Sequence, residues 1–353
     1  MTNEKSWMIY GANGYTGELI AREAVRRGLK PVLAGRNKEK IQSLAKELNL
    51  EAKIFDLVDT TVAAQYIEAH TLLIHCAGPF SATSRPMVEA CLKAKAHYLD
   101  ITGEVPVFEQ THSFHDQAKA AGVVLCSGVG FDVIPTDCVA SALKAALPDA
   151  THLALGFDTE TALSPGTAKT SIEGLAGGGK VRKDGKIIST PLAHLSRTIN
   201  FGNGEKYAMT IPWGDVSSAF YTTGIPNIEV YTPAPKSVVT GAKFANYLRP
   251  LLKVSVVQGL LKAVIGRTTV GPEEASRDQS PTYIWGEVRN AKGEVRTARV
   301  RTSNTYSITV TGSLAIIEFL LTHQTSGGAY TPAKLMGKDF VTQLPDSTAM
   351  QIS

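Results

Sequence analysis

The first 130 residues alternate short apolar runs with longer stretches of helical period. Trp7-Met8-Ile9-Tyr10 runs into Gly11, and similar runs recur at Pro31 to Ala34, Ala52 to Phe55, Leu72 to Cys76, His97 to Ile101 and Val123 to Cys126. Between them, Glu18 to Gly28, Lys38 to Leu48, the stretch from about Pro86 to Lys95, and Val105 to Ala121 read as helices. Strands that alternate with helices of this length predict βαβ crossovers and a parallel sheet, and six strands match a complete doubly wound (Rossmann) domain.

The pattern changes after Asp149. Residues 151–160 and 206–232 predict longer strands rich in Thr, Tyr and Phe. Residues 282–310 alternate like an antiparallel pair, with Lys292-Gly293 as the turn. Leu314 to Leu321 predicts an apolar helix that packs back on the first sheet. The expected organisation is an α/β chain in three parts: a cofactor-type domain over 1–149, an inserted α+β domain over 150–310 for substrate and for homodimer formation, and a returning segment over 311–353.

Composition narrows the picture without changing it. The 353 residues are 43% hydrophobic and 19% charged, which suits an ordinary globular chain of about two domains. A formal charge of +4 with no dense Lys/Arg block argues against a nucleic-acid partner. The polar start lacks a signal-like apolar run, so a cytoplasmic location is expected. Cys76, Cys91, Cys126 and Cys138 form no C-x-x-C pair, which predicts buried thiols and no metal site. One stretch is uneven: 247–265 is the most apolar of the chain, yet Arg249, Pro250, Lys253 and Lys262 interrupt it. A buried or interfacial helix, meeting protein, a lipid-like substrate or a membrane surface, suits it better than a span.

Gly11-Ala12-Asn13-Gly14-Tyr15-Thr16-Gly17 follows the first strand and opens a helix. Glycines permit a tight turn and close approach to a pyrophosphate, and the helix N-terminus offers unpaired N–H groups and a positive dipole end. At the end of the second strand, where an NAD-binding chain places Asp or Glu, stands Ala34-Gly35-Arg36-Asn37. Arg36 can pair with a 2′-phosphate through its planar fork, so NADP(H) is expected over NAD(H). Asp56, after the third strand, is placed to border the adenine. Ala77-Gly78-Pro79-Phe80 and Thr102-Gly103-Glu104 follow later strands, and in a doubly wound sheet such turns border the ligand. Gly128 to Asp132 joins them after the sixth strand. Gly174 to Lys180 fits the spacing of an NTP-binding loop, but Val181 replaces the required Ser or Thr, so it predicts only a loop.

The assembled pattern resembles the saccharopine dehydrogenase-like oxidoreductases, and within them the trans-acting enoyl reductase type. The resemblance rests on Gly11 to Gly17, Ala34 to Arg36, Ala77 to Phe80, Cys91 with His97 to Glu104, and Gly130 to Asp137. It continues through Pro165 to Thr167 with Ser171, Gly178 to Arg182, Gly271-Pro272 with Arg277, Tyr306, and Thr331 to Ala333 with Gly337. It implies a Rossmann domain with an inserted α+β domain, and NADP(H)-dependent reduction of an enoyl or carbonyl group on an acyl or lipid-like substrate. Reduction of a C–N double bond, non-catalytic NADP(H) binding, and a membrane-peripheral role through 247–265 are the alternatives. For the proton that hydride transfer requires, the candidates are Tyr98, Asp132 and His75. Core packing for Tyr98, helix capping for Asp132 and Asp137, and a satisfied buried imidazole for His75 are the competing readings.

Overall fold

The computed structural model describes residues 6–159, 177–248 and 281–353. Most of the 247–265 run, Pro165 to Thr167, Lys169, Ser171, Gly271, Pro272 and Arg277 lie outside the described residues. The chain divides into two compact units: 1–132 with 306–335, and 133–305 with 336–353.

The first unit is built on seven parallel strands. In chain order these are β1 (Trp7–Tyr10), β2 (Val32–Gly35), β3 (Ala52–Ile54), β4 (Leu72–His75), β5 (His97–Asp100), β6 (Val124–Cys126) and, from the returning segment, the strand Gly328–Tyr330. The spatial order runs from that last strand through β6, β5, β4, β1 and β2 to β3. This is the doubly wound order, with the switch point between β1 and β4. The strands are short, and β1, β2 and β4 are wholly buried, as expected of a sheet covered on both faces, while edge strand β3 is half-buried. Helices α1 (Tyr15–Arg26), α2 (Lys38–Leu48), α3 (Thr60–Ile67), α4 (Phe80–Ala94), α5 (Val105–Ser113) and α6 (His115–Ala121) supply the crossovers.

Two helices differ from the sequence expectation. Helix α4 begins at Phe80 rather than near Pro86, and carries that proline inside it. Its first N–H groups bind the Glu104 carboxylate, which anchors the start of the helix upstream of the proline. The stretch 105–121 is two helices, divided at Phe114, whose ring is buried.

The second unit opens with α7 (Ile134–Ala146), so the division falls at Asp132/Val133 rather than at Asp149. The reason is packing: a Cβ on Gly286 would lie 2.5 Å from Val139 and 2.8 Å from Leu143, so α7 lies directly on the second sheet. That sheet is mixed, in the order β10 (Ser196–Asn200), β11 (Glu205–Thr210), β12 (Asn227–Pro233), β7 (Ala150–Asp158), β13 (Thr282–Asn290), β14 (Val295–Thr302) and β16 (Gln351–Ile352). The hairpin of β8 (Gly179–Lys183) and β9 (Lys186–Thr190) joins it through β12. Gly179 and Lys180 therefore sit in an antiparallel strand, not in a loop that opens a helix, and the NTP-loop match is formal only.

Three further expectations are corrected. The 206–232 stretch is interrupted by α8 (Asp215–Thr223). Tyr306, Ile308 and Val310 belong not to a strand but to α10 (Thr305–Thr322), which is preceded by α9 (Lys236–Ala245). The returning segment divides: α10 and its following strand, β15 (Gly328–Tyr330), join the first unit, while 336–353 join the second, where β16 extends β14. Helix α10 is apolar enough and long enough to cross a membrane by composition alone. In this fold Ile308, Leu314, Ile316, Ile317 and Leu320 are buried, and Ser313 Oγ donates to Val129 O at 2.7 Å.

Candidate functional site

The carboxyl ends of β1, β2, β4, β5 and β6 bring the predicted turns together on one edge of the first sheet. At β1, Gly11 has φ +81°, and a Cβ there would stand 2.8 Å from Ala77 Cβ and N. A Cβ on Gly17 would overlap the Gly11 carbonyl oxygen. The first glycine therefore permits the turn against the β4 loop, and the third permits α1 to start against that turn. Gly14 stands at the α1 N-cap and brings no side chain to cover its first N–H groups. This geometry suits a pyrophosphate at a helix N-terminus. Asn13 lies across to β2, since a Cβ on Gly35 would meet its Oδ1 at 3.3 Å. Tyr15 and Thr16 are half-buried in the first turn of α1.

Arg36 and Asp56 stand exposed at the ends of β2 and β3. Asp56 Oδ1 accepts the Val58 N–H at 3.1 Å, closing its turn. Behind them the Tyr10 hydroxyl donates to Phe55 O at 3.2 Å, and Phe55 stacks on Tyr66 with ring centroids 4.9 Å apart. Burial pushes the Tyr10 phenol up to about 12, so it stays protonated and serves as a packed wall.

Ala77 to Phe80 form the turn after β4, joined by a Gly78–Pro79 cis bond. The Glu104 carboxylate receives the N–H of Phe80 at 2.9 Å and of Ser81 at 2.8 Å, tying the β5 turn to the β4 turn. Glu104 thus caps α4 from across the sheet edge, rather than the helix that follows it in sequence.

The centre of the site is a residue that the sequence reading quoted within a motif without giving it a role. Asp100 is fully buried at the end of β5. Its Oδ1 accepts the N–H of Thr102 at 3.0 Å and of Gly128 at 2.9 Å. Its Oδ2 accepts the hydroxyls of Tyr98 at 2.8 Å and Ser127 at 2.7 Å. Burial raises this carboxyl and the four donors pull it back. Tyr98 is accordingly not available as a proton donor: its ring is core, its hydroxyl is engaged by Asp100, and burial holds its phenol well above the usual range. His75 is also core. Thr83 gives its proton to carbonyl oxygens, at 2.8 Å from Ala77 O and 3.0 Å from Pro79 O, so His75 Nε2 donates to Thr83 Oγ1, 2.9 Å away. Burial drives this imidazole down to about 3, so it stays neutral and structural.

Asp132 is different. It is not the cap of α7, whose N-cap is Val133. It is half-buried at the end of the β6 turn, and its carboxyl lies so close over Gly103 that a Cβ there would overlap it. Burial pushes the carboxyl up to about 7. A carboxyl raised in the folded state binds protons that the unfolded chain has released. Stability is therefore expected to fall as pH rises from about 4 to about 7, as that proton is lost. Asp132→Asn should flatten the dependence in that window, measured as urea midpoints of the cofactor-free protein. An unchanged slope would mean that the carboxyl titrates normally.

Sequence reasoning missed the role of α10. Thr309 Oγ1 accepts the Phe131 N–H at 3.0 Å, and a Cβ on Gly130 would stand 2.9 Å from Thr309. Tyr306 sets its ring edge-on to Tyr15, 5.1 Å between centroids. The helix thus covers the glycine loop and, from 178 positions downstream, the β6 turn. The four cysteines are free, and burial raises the thiols of Cys76, Cys91 and Cys138. Among the described residues no group of His, Cys, Asp and Glu could hold a metal ion.

A doubly wound sheet with this glycine turn and an arginine after β2 defines a dinucleotide-binding type of domain. Comparison with known proteins narrows it. Residues 7–126 match the family described as saccharopine dehydrogenase NADP binding domain. Over 150 residues the chain is 29% identical to the saccharopine dehydrogenase-like oxidoreductase of Rattus norvegicus, a match covering 37% of this chain and 35% of that protein. It is 31% identical over 139 residues to the trans-acting enoyl reductase of Mycobacterium tuberculosis (strain ATCC 25177 / H37Ra), covering 37% of this chain and 33% of that one. The matches thus span about a third of the length of these curated relatives. In fold, the chain is similar to the saccharopine dehydrogenase (L-Glu forming) of Saccharomyces cerevisiae, with a TM-score of 0.68 at 12% identity over 99% of this chain and 100% of that one. Residues 7–126 are thus similar to a saccharopine dehydrogenase NADP binding domain, and the cofactor is NADP(H).

The residues present fit that cofactor. The Gly11–Gly17 cradle and the α1 N-terminus suit the pyrophosphate, and Arg36 suits a 2′-phosphate. Removing Arg36 is expected to lower NADPH affinity by about 10- to 100-fold, the loss of a charge-assisted pair, while NADH affinity stays the same. Fluorescence titration of Arg36→Ala with both nucleotides tests this. An unchanged ratio would place the 2′-phosphate elsewhere.

Proposed function

We propose that the chain is an NADPH-dependent reductase acting on an enoyl or carbonyl group of an acyl or lipid-like substrate. The observation that carries this reading is the meeting of Asp132 with Gly103 where β5 and β6 end, with a carboxyl raised to about 7. In an open α/β sheet the ligand lies beyond the carboxyl ends of the strands, which puts these turns at the reacting end of the cofactor. NADPH supplies a hydride when bound. An acceptor of hydride gains negative charge, and a protonated carboxyl beside it can donate the compensating proton. Asp132 holds such a proton near neutral pH, a task that Tyr98 and His75 are not placed to perform. The relative named trans-acting enoyl reductase, 31% identical over 139 residues, supports the enoyl preference.

The test is NADPH oxidation by the full chain over enoyl thioesters, ketones, and mixtures of α-keto acids with amines. Turnover of the enoyl or carbonyl compounds is expected. It should fall about 100-fold in Asp132→Asn, within the usual contribution of a general acid. Turnover of the imine mixtures alone would replace this reading with C–N reduction. NADPH binding with no substrate-dependent oxidation would leave a binding protein.

A further inference from the structure

Helix α9 and the turn after it carry an exposed aromatic and basic face. Only Val239 of the helix is fully buried, with Ala242 and Asn246 half-buried at the spacing of one helical face. An exposed flank of the helix brings Lys236, Thr240, Phe244 and Tyr247 together, with Lys243 at its edge. Phe244 is 65% exposed and Tyr247 81%, and their rings lie 6.0 Å apart. The turn that presents them is fixed. Asn246 Oδ1 accepts the Leu192 N–H at 2.7 Å, and its Nδ2 donates to Leu192 O at 3.2 Å. The Lys236 ammonium lies 5.7 Å from the Tyr207 ring centroid.

The charge pattern along this stretch of the sequence is one-sided. Between Glu229 and Glu273 the sequence contains no Asp or Glu, but it contains Lys236, Lys243, Arg249, Lys253, Lys262 and Arg267. In a chain with 36 basic and 32 acidic residues overall, this is a local concentration of positive charge. Exposed aromatic rings flanked by lysines, with acids excluded, match a surface that is negative and apolar beneath its headgroups. Pairing with a second copy through the same face would oppose Lys236 and Lys243 to their own equivalents, because an isologous contact is self-complementary.

We propose that the outward face of α9, from Lys236 to Tyr247, docks on an anionic phospholipid surface. Phe244 and Tyr247 enter the interface, and Lys236 and Lys243 reach the headgroups. This placement holds whatever the substrate, and the docking side chains lie on helix α9 and the turn after it.

The test is co-sedimentation of the full-length, NADPH-bound protein with phosphatidylcholine vesicles, with and without phosphatidylserine. Binding is expected only to the phosphatidylserine vesicles, and it should weaken as salt rises. Phe244→Glu with Tyr247→Glu should weaken it at least ~10-fold, and Lys236→Glu with Lys243→Glu comparably. Thermal midpoint and NADPH affinity should not change, since all four side chains are exposed. Three results would overturn the proposal: no binding by the unaltered chain, equal binding by the aromatic variant, or a gel-filtration dimer that depends on Phe244 and Tyr247 without vesicle binding.

Discussion

Asp100→Ala is expected to destabilise the first unit by about 3–5 kcal/mol. The substitution leaves two hydroxyls and two backbone N–H groups without their acceptor in a buried place, and each such donor costs about 1–3 kcal/mol. Partial repair by entering water keeps the total below the sum. The four donors come from β5, from the turn after it and from the turn after β6, so the loss also releases the loops that hold Glu104 and Asp132. NADPH affinity should therefore fall along with stability. A urea midpoint shift at constant slope, with a nucleotide titration alongside, reads both. Asp100→Asn should also destabilise, because its amide turns donors toward donors. A loss below about 1 kcal/mol for Asp100→Ala would mean that water replaces the carboxylate and that the network does not organise the site.

Gly11→Ala is expected to lower NADPH affinity by about 100-fold, or nearly 3 kcal/mol. A side chain at φ +81° costs about 1–2 kcal/mol of backbone strain. The added methyl would also stand 2.8 Å from Ala77 and 2.9 Å from the Cys76 carbonyl carbon, which forces the β1 and β4 turns apart. Those turns form the phosphate cradle, so the displacement acts on the ligand directly. Gly28 supplies the control. Its φ is +78°, but nothing lies within 4 Å of the position a Cβ would take. Gly28→Ala should therefore cost only about 1–2 kcal/mol of stability and leave NADPH affinity unchanged. Equal affinity losses in the two variants would mean that strain in the domain, not the cradle, governs binding.

The parts of the site that were legible in the sequence are local. A strand's burial, a glycine before a helix and an arginine after a strand each declare themselves within a few residues. That is why β1, β2, α2 and β4 fall close to their expected ranges and why Arg36 stands at the end of β2 as expected. Pro86 misled, because a proline reads as the start of a helix, and the anchor that starts α4 earlier is a carboxylate 24 residues further along. The alternation in 282–310 misled for a related reason. Its first part is a hairpin turned by the Asn290 side chain, which accepts from Lys292 and Glu294. Tyr306, Ile308 and Val310 lie in a helix buried on several sides, where period 2 and period 3.6 are hard to tell apart.

By itself the sequence determined the doubly wound sheet, the glycine turn and the arginine at β2, because each depends on spacing along one stretch of chain. Only the tertiary structure decided which acid does what. Asp100, Glu104 and Asp132 are alike as side chains near strand ends. One is ringed by four donors, one binds the start of a helix across the sheet edge, and one lies over Gly103 with its carboxyl raised by burial. Burial and hydrogen-bond partners set those differences, and both come from residues distant in sequence.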